Sequence, residues 1–561
     1  MKTSGSFVLL LILSSSFLFS QIHAQPDPLC GSWEGIFMGQ FDIKIDFNKD
    51  ANGKYKGRLK LYDGPQKIQD DELTKIGFLN NQVEFYIPAK STPFRGEYDS
   101  LFLTIRGAFT FPDGSRHPLK VVKAEAEQEL VFNMNEEPLK ASLERELLLA
   151  DLCFLLQKLD SLHPRLYAYT DPASFDILIT HKMEQLPEQA SLADFYLMAT
   201  SITDAVRCSH TGLRLPHEAL ASLRQKGNYF PASLYFNDDR AFLLSYPGNN
   251  ILLKPGVEIF SINGVPVRDI ISKLLVCFPS EGMNNTTKYH ELNKRFFEYF
   301  VLIDNSREFH LSFTPDGQHT MHTTVTSCSY PLAKVLSQNH PADAYAEFPV
   351  TVELLETQNT AILTIPTFAI PDVNRYNQFM DSLFQGFKNN STEHLIIDLR
   401  GNSGGHPIFA AQLLSYLCRE DFVYFKPDDV VEEFGPLYTP IPPSPFLYQG
   451  QSYLLVDGGC LSTAGHFISL AKYHQTSVII GEEPGSTFRC NDMSRQFIMP
   501  YSGMEINVPT KTFTTAVKEE NLDQGVVDIY VERDVCSIIN KKDPAMEKAM
   551  EETIKEKIVE L

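Results

Sequence analysis

The sequence predicts a multidomain α+β protein, with an N-terminal antiparallel β barrel or sandwich, a helical subdomain, a unit of short strands and a C-terminal α/β core. Three observations carry this expectation. Apolar residues alternate with polar ones near the start of the chain, helical spacing takes over from about residue 140, and short apolar strands alternate with helices beyond about residue 345.

At 561 residues the chain is too long for one ordinary domain, and with 43% hydrophobic and 21% charged residues it can fill several cores. Its formal net charge of -21 leaves no basic stripe to follow a phosphate backbone, which argues against nucleic acid as a partner. Residues 1–24 read as a secretory signal. Lys2 precedes an apolar run from Phe7 to Phe19, cleavage is expected near Ala24, and the run is short for a membrane span. An exported protein is expected, whether periplasmic, surface-associated or extracellular, without a transmembrane segment in the mature chain. Nine scattered cysteines form neither a disulfide framework nor a Cys-x-x-Cys zinc motif, although Cys460 and Cys490 flank the region of interest and could be bridged.

Residues 28–128 read as the N-terminal β unit. In Phe41-Asp42-Ile43-Lys44-Ile45-Asp46-Phe47 the apolar side chains share one face of a half-buried strand, and Asn48 to Gly53 and Pro112-Asp113-Gly114 are turns. The helical subdomain, 140–228, shows leucines at 143, 147, 148, 152, 155 and 159, with further helices over 173–187 and 192–206. It ends in Cys208-Ser209-His210-Thr211-Gly212. In 229–320, Asn263-Gly264 is a tight turn after a strand, and a helix follows from Arg268 to Leu275. In the core, 345–540, strands at 361–368, 395–399, 453–457 and 477–480 are joined by helices at 373–387, 408–418 and 463–473, the pattern of a largely parallel sheet. A charged helix is expected over 541–561.

Ligands of such sheets gather at the carboxyl ends of the strands. Two glycine-bearing turns lie there, Gly401-Asn402-Ser403-Gly404-Gly405 and Gly458-Gly459-Cys460-Leu461-Ser462-Thr463. Ser462 falls in the first turn of a helix, where unpaired N–H groups and the helix dipole favour a developing anion. Acyl transfer needs a hydroxyl nucleophile and about two donors for the oxyanion. Ser462 is therefore the candidate nucleophile, and the N–H of Thr463 with that of Gly404 or Gly405 is the candidate oxyanion hole. On local sequence alone, Ser462 reads equally as a helix cap and the glycines as tight connections. The phosphate-loop, dinucleotide and Gly-x-Ser-x-Gly patterns are absent.

The runs Leu395 to Gly405, Leu455 to Ala464 and Ile480-Gly481-Glu482-Glu483-Pro484-Gly485-Ser486-Thr487 together resemble peptidase family S41, the C-terminal processing or tail-specific proteases, and its tricorn-like branch above all. The resemblance extends over roughly 140–535, including His163-Pro164 and a PDZ-like unit at 229–320, and leaves the N-terminal β unit outside. It implies a crotonase-like core, a serine-type endopeptidase or carboxyl-terminal processing activity on a polypeptide substrate, and no metal or organic cofactor. The family's serine falls on Ser462. Many members use a lysine after the Gly-Glu-Pro turn, but Gly485 to Cys490 contains none, and Arg489 stays protonated. The tricorn-like branch uses a histidine that matches His210, which on local sequence reads as a helix C-terminal cap. The acid is expected in Glu519, Glu520, Asp523 or Asp528, with Asp523 the choice, although Gly525-Val526-Val527-Asp528 lacks the family's proline. A non-catalytic protein that binds peptide or a hydrophobic ligand, and an esterase, remain alternatives on the same core.

Overall fold

The computed structural model describes residues 27–37, 41–63, 66–99, 104–112, 115–123, 142–337, 348–427, 430–518 and 525–559. The expected signal segment lies outside them. The chain divides into two units, which part between residues 129 and 130.

In the first unit, eight antiparallel strands from Gly31–Phe37 to Arg116–Lys123 close into a barrel, the last pairing with the first. Alternation explains the closure. Ile43, Ile45 and Phe47 point inward with Trp33, Phe85, Phe94 and Phe109, so the interior is filled by side chains. The one tryptophan belongs to this core, its indole N–H donating to the Leu29 carbonyl at 2.9 Å.

The second unit begins with the helices Arg145–Leu162, Pro172–Gln185 and Leu192–Ala205. Asp171 and Ser191 cap the latter two, accepting from N–H groups of their first turns. Beyond the third helix, Arg207 takes a left-handed conformation with φ of 56° and turns the chain into Cys208–His210. The short strand Gly212–Arg214 then pairs with Glu505–Val508, which ties the end of the helical segment to the C-terminal part of the chain. A separate sheet follows, in the order Ser233–Asn237, Arg240–Ser245, Glu258–Ile262, Glu308–Thr314, Met321–Thr326, and Asn263 and Gly264 make its expected tight turn at positive φ.

The mostly parallel sheet of the second unit has six strands in the order Thr351–Leu355, Thr360–Thr364, His394–Asp398, Gln451–Val456, Val478–Gly481, Ile529–Tyr530, with only the first antiparallel. Both faces are covered, which is why its central strands read as unbroken apolar runs. Leu395 and Ile397 face a large core with the helices Val373–Asn390, Pro407–Ser415 and Thr463–Tyr473. Ile396, Tyr453, Leu455 and Ile480 face Ala545 and Ala549 of the helix Pro544–Val559. Among the described residues no helix is long and apolar enough to cross a membrane.

Arg400 fastens that last helix. Its guanidinium donates to Asp398 at 2.6 and 2.9 Å and to Asp543 at 2.6 and 2.8 Å, while Asp543 also accepts from the Met546 N–H. Removing the cation leaves two facing carboxylates. We expect Arg400→Met to lower the unfolding free energy by about 2 kcal/mol, reduced from the fully buried case because Asp543 is partly open to water. Denaturant titration checks this, and Asp543→Ala added to Arg400→Met should cost less than it does alone.

Candidate active site

A buried side chain and a half-buried one hold the glycine turns together. Asp457, at the end of the Gln451–Val456 strand, accepts from the N–H groups of Gly401 at 2.8 Å and Gly459 at 2.9 Å. Asn402 is fully buried. Its Nδ2 donates to the Ile365 carbonyl, its Oδ1 accepts from the Gly404 N–H at 2.9 Å, and its backbone carbonyl accepts from the Leu461 N–H at 3.0 Å. The second turn is thereby carried to within van der Waals range of the first. A Cβ on Gly404 would lie 2.8 Å from the Ser462 Cβ and 3.0 Å from the Thr463 nitrogen.

Ser462 sits at the head of the Thr463–Tyr473 helix with φ of 52° and ψ of -122°, and its hydroxyl makes no capping bond. This separates it from an ordinary N-cap, which keeps an extended backbone and spends its oxygen on the helix. Holding a non-glycine residue there costs on the order of 1–3 kcal/mol.

The oxyanion candidates separate. The Gly404 N–H is already given to Asn402, so Gly404 is not a free donor, and its contribution is the absence of a side chain. The Gly404 carbonyl accepts from the Phe368 N–H at 2.8 Å, and that of Gly405 from Thr463 Oγ1 at 2.5 Å. With those carbonyls engaged, the N–H groups of Gly405 and Thr463 have no acceptor among the described residues.

His210 comes from the end of the helical segment. The pairing of Gly212 with Asn507 and a 2.6 Å bond from Asn507 Nδ2 to the His210 carbonyl fix its backbone. The strand Arg489–Asp492 lies between the two segments. Burial pushes the Cys490 thiol up, opposed in part by a hydrogen bond with the Ser462 hydroxyl. Asn491 Nδ2 donates to Cys208 Sγ at 3.4 Å, and Asp492 Oδ2 lies 3.7 Å from His210 Nε2. His466, one helical turn beyond Ser462, is fully buried, and burial, with His210 nearby, pulls its pKa down to about 3. Ser462 and His210 are thus both neighbours of the Arg489–Asp492 strand, with no direct hydrogen bond between them; catalytic bonds of this kind often tighten only around substrate.

His210 itself is held below the ordinary imidazole range by burial, with Asp492 pulling the other way. Its Nδ1 lies 3.1 Å from Ser209 Oγ. Ser209 donates through Oγ at 3.0 Å and through its N–H at 3.2 Å to Glu281, whose carboxyl burial pushes up to about 7 against those two bonds. Sequence reasoning missed Glu281. It stands in Pro279-Ser280-Glu281-Gly282, which carries no motif, and meets Ser209 across 72 positions.

Of the expected acids, Glu519, Glu520 and Asp523 lie outside the described residues. Asp528 is occupied elsewhere, pairing with Lys472 and accepting from the Ile479 N–H at 2.9 Å. Arg489 lies over the Phe488 ring and donates to Thr514, and Cys460 and Cys490 are free thiols rather than a bridge.

Residues 359–531 match the model of peptidase family S41. Among solved structures, mature CPAF is 15% identical over 73% of this chain and 96% of its own, with a TM-score of 0.50. Mature CPAF complexed with lactacystin (15% identity, 73% and 98% coverage, TM-score 0.50) and a serine-to-alanine variant of CPAF (15%, 73% and 96%, TM-score 0.52) agree. They share this chain's fold. No curated protein matches the sequence.

Strain at Ser462 is open to measurement. Ser462→Gly should raise the stability of the C-terminal unit by about 1 kcal/mol over Ser462→Ala, since only glycine relieves the backbone. Gly404→Ala should cost about 1–3 kcal/mol, because φ there is 99° and the new methyl meets Ser462. Thermal unfolding of the three variants decides it, and equal stability of the glycine and alanine forms at 462 would remove the strain argument.

Proposed function

We propose that the chain is a serine-type peptidase that works through an acyl-enzyme. The observation that carries this reading is Ser462: a strained residue whose hydroxyl is kept from capping its helix, beside two unengaged N–H groups, with a half-buried histidine next to the neighbouring Arg489–Asp492 strand. A helix cap needs none of these.

In this reading His210 takes the Ser462 proton through Nε2, since Nδ1 is turned to Ser209. The alkoxide attacks the peptide carbonyl, and the oxyanion is received by the N–H groups of Gly405 and Thr463. Collapse expels the amine with the proton from His210, and water returned through the same base releases the acyl group. Glu281, acting through Ser209, orients the ring and supports its positive charge, the place that the sequence assigned to Asp523. Asp492 adds a second negative charge near Nε2. The tricorn-like pattern, with histidine in place of lysine, fits this assignment. We further propose that the sheet between Ser233 and Thr326 acts as the PDZ-like unit, adding an extended peptide as a strand, and that the protein is exported after loss of residues 1–24.

A fluorophosphonate probe is expected to label the mature protein, and Ser462→Ala and His210→Gln to abolish labelling without unfolding it. Labelling that survives in Ser462→Ala would end the assignment. A peptide library then separates peptidase from esterase, and an intact protein that neither labels nor cleaves would be a binding protein.

The electrostatics predict the pH profile. A base held low stays neutral into acid, so the acid limb of kcat/KM should fall below the ordinary histidine value of about 6.5. Removing the carboxylate that raises it moves the limb lower still in Asp492→Asn. Glu281→Gln should lower kcat/KM about tenfold or more, with no additional loss when Ser209→Ala is combined with it. A limb at or above 6.5, or additive losses, would remove these roles.

A further inference from the structure

The sheet between Ser233 and Thr326 carries a pair of histidines that the peptidase reading does not use. Glu308–Thr314 and Met321–Thr326 are antiparallel, with His310 opposite Thr324 and Ser312 opposite His322. The four side chains share one face, and the two histidines stand diagonally across it, at the separation of about 7–8 Å that long side chains can bridge. Both histidines are exposed and line one depression of about 240 Å³, beside the side-chain-free turn at Gly264.

A solvated face leaves exposed imidazoles free to rotate. Here each ring is held by the strand opposite: His310 Nδ1 lies 2.8 Å from Thr324 Oγ1, and His322 Nδ1 lies 3.0 Å from Ser312 Oγ. When Nδ1–H donates to the hydroxyl, the lone pair is on Nε2, and neither Nε2 has a partner among the described residues. A hydroxyl or carbonyl on the distal nitrogen, fixing tautomer and ring plane, is the arrangement that prepares histidine as a metal ligand.

We propose that His310 and His322 bind one borderline divalent transition cation, Cu2+ or Zn2+, through their Nε2 atoms. Imidazole nitrogen suits such ions, and the site offers hard cations such as Mg2+ nothing they prefer. Two protein ligands leave the remaining positions to water, so the site is an exchangeable surface chelate that clamps two neighbouring strands. It is independent of Ser462 and stands or falls without the peptidase assignment.

Calorimetric titration of the full-length mature chain with CuCl2, ZnCl2 and MgCl2, each alone, tests it. One Cu2+ per chain is expected, held more tightly than Zn2+, with no heat from Mg2+. His310→Ala and His322→Ala should each weaken Cu2+ binding at least tenfold, whereas His319→Ala, in the hairpin that joins the strands, should leave it unchanged. Electron paramagnetic resonance of the Cu2+ complex should show two coupled imidazole nitrogens, reduced to one in either variant. Absence of binding, or affinity and spectrum unaltered in both variants, overturns the proposal; the surface position of both residues keeps the fold out of the comparison.

Discussion

The site depends on how two glycine turns are fastened at the ends of adjacent parallel strands. Parallel strands end with their backbone groups unpaired, and a turn of small residues there has many conformations open to it. Asp457 and Asn402 select one. Asp457 takes an N–H from each turn, and Asn402 bonds the first turn to itself, to Ile365 and to the residue before Ser462. Both are buried or half-buried hydrogen-bonding groups in a low-dielectric setting, where an unmade bond costs about 1–3 kcal/mol. Misplacing either turn forfeits several such bonds together. That cooperation can hold Ser462 in a conformation its own backbone disfavours.

The same fastening decides which amides of the two turns are left unbonded. A glycine-rich turn offers several N–H groups, and any of them bonded within the protein is lost to a substrate. Asn402 removes Gly404 from the set, and the engaged carbonyls of Gly404 and Gly405 fix the peptide planes between them. The donor pair left, Gly405 and Thr463, comes from different turns, so its spacing is set by packing between the turns. A methyl group on Gly404 would part them.

How much of this could be read beforehand follows from the range of each interaction. The core strands were legible because burial on both faces writes an apolar run into the sequence, as in Leu395 to Leu399. The barrel was legible from alternation such as Ile43, Ile45, Phe47. Ser462 could be picked out by its place between a strand and a helix, but its positive φ could not, since serine has no local preference for it. The Gly404 bond was accessible in principle, because an asparagine two residues before a glycine commonly accepts from that glycine's N–H. His210 was visible only through resemblance. Its position rests on a three-residue strand pairing and a bond to Asn507, 297 positions away, too short and too distant to leave a periodic trace. Glu281 had still less to mark it. A carboxylate becomes functional through burial beside a particular partner, and neither burial nor partner is written in the residues around it.

In the proposed mechanism the parallel sheet fixes Ser462, whereas His210 comes from the helical segment, and a separate element must set the relation between them. The four-residue strand Arg489–Asp492 is placed to do so: Asn491 donates to Cys208, Asp492 Oδ2 lies 3.7 Å from the imidazole Nε2, and the Ser462 hydroxyl acts on the thiol of Cys490. Among the described residues this strand is paired only with Lys511–Thr514, as a two-stranded ribbon. Ribbons of that size depend on their surroundings for stability. In the proposed mechanism, Ser462 and the N–H groups of Gly405 and Thr463 are therefore fastened to the core, while the imidazole lies beside a two-stranded ribbon. Under the proposed mechanism, substrate contacts that order this ribbon would bring His210 Nε2 and the Ser462 hydroxyl together.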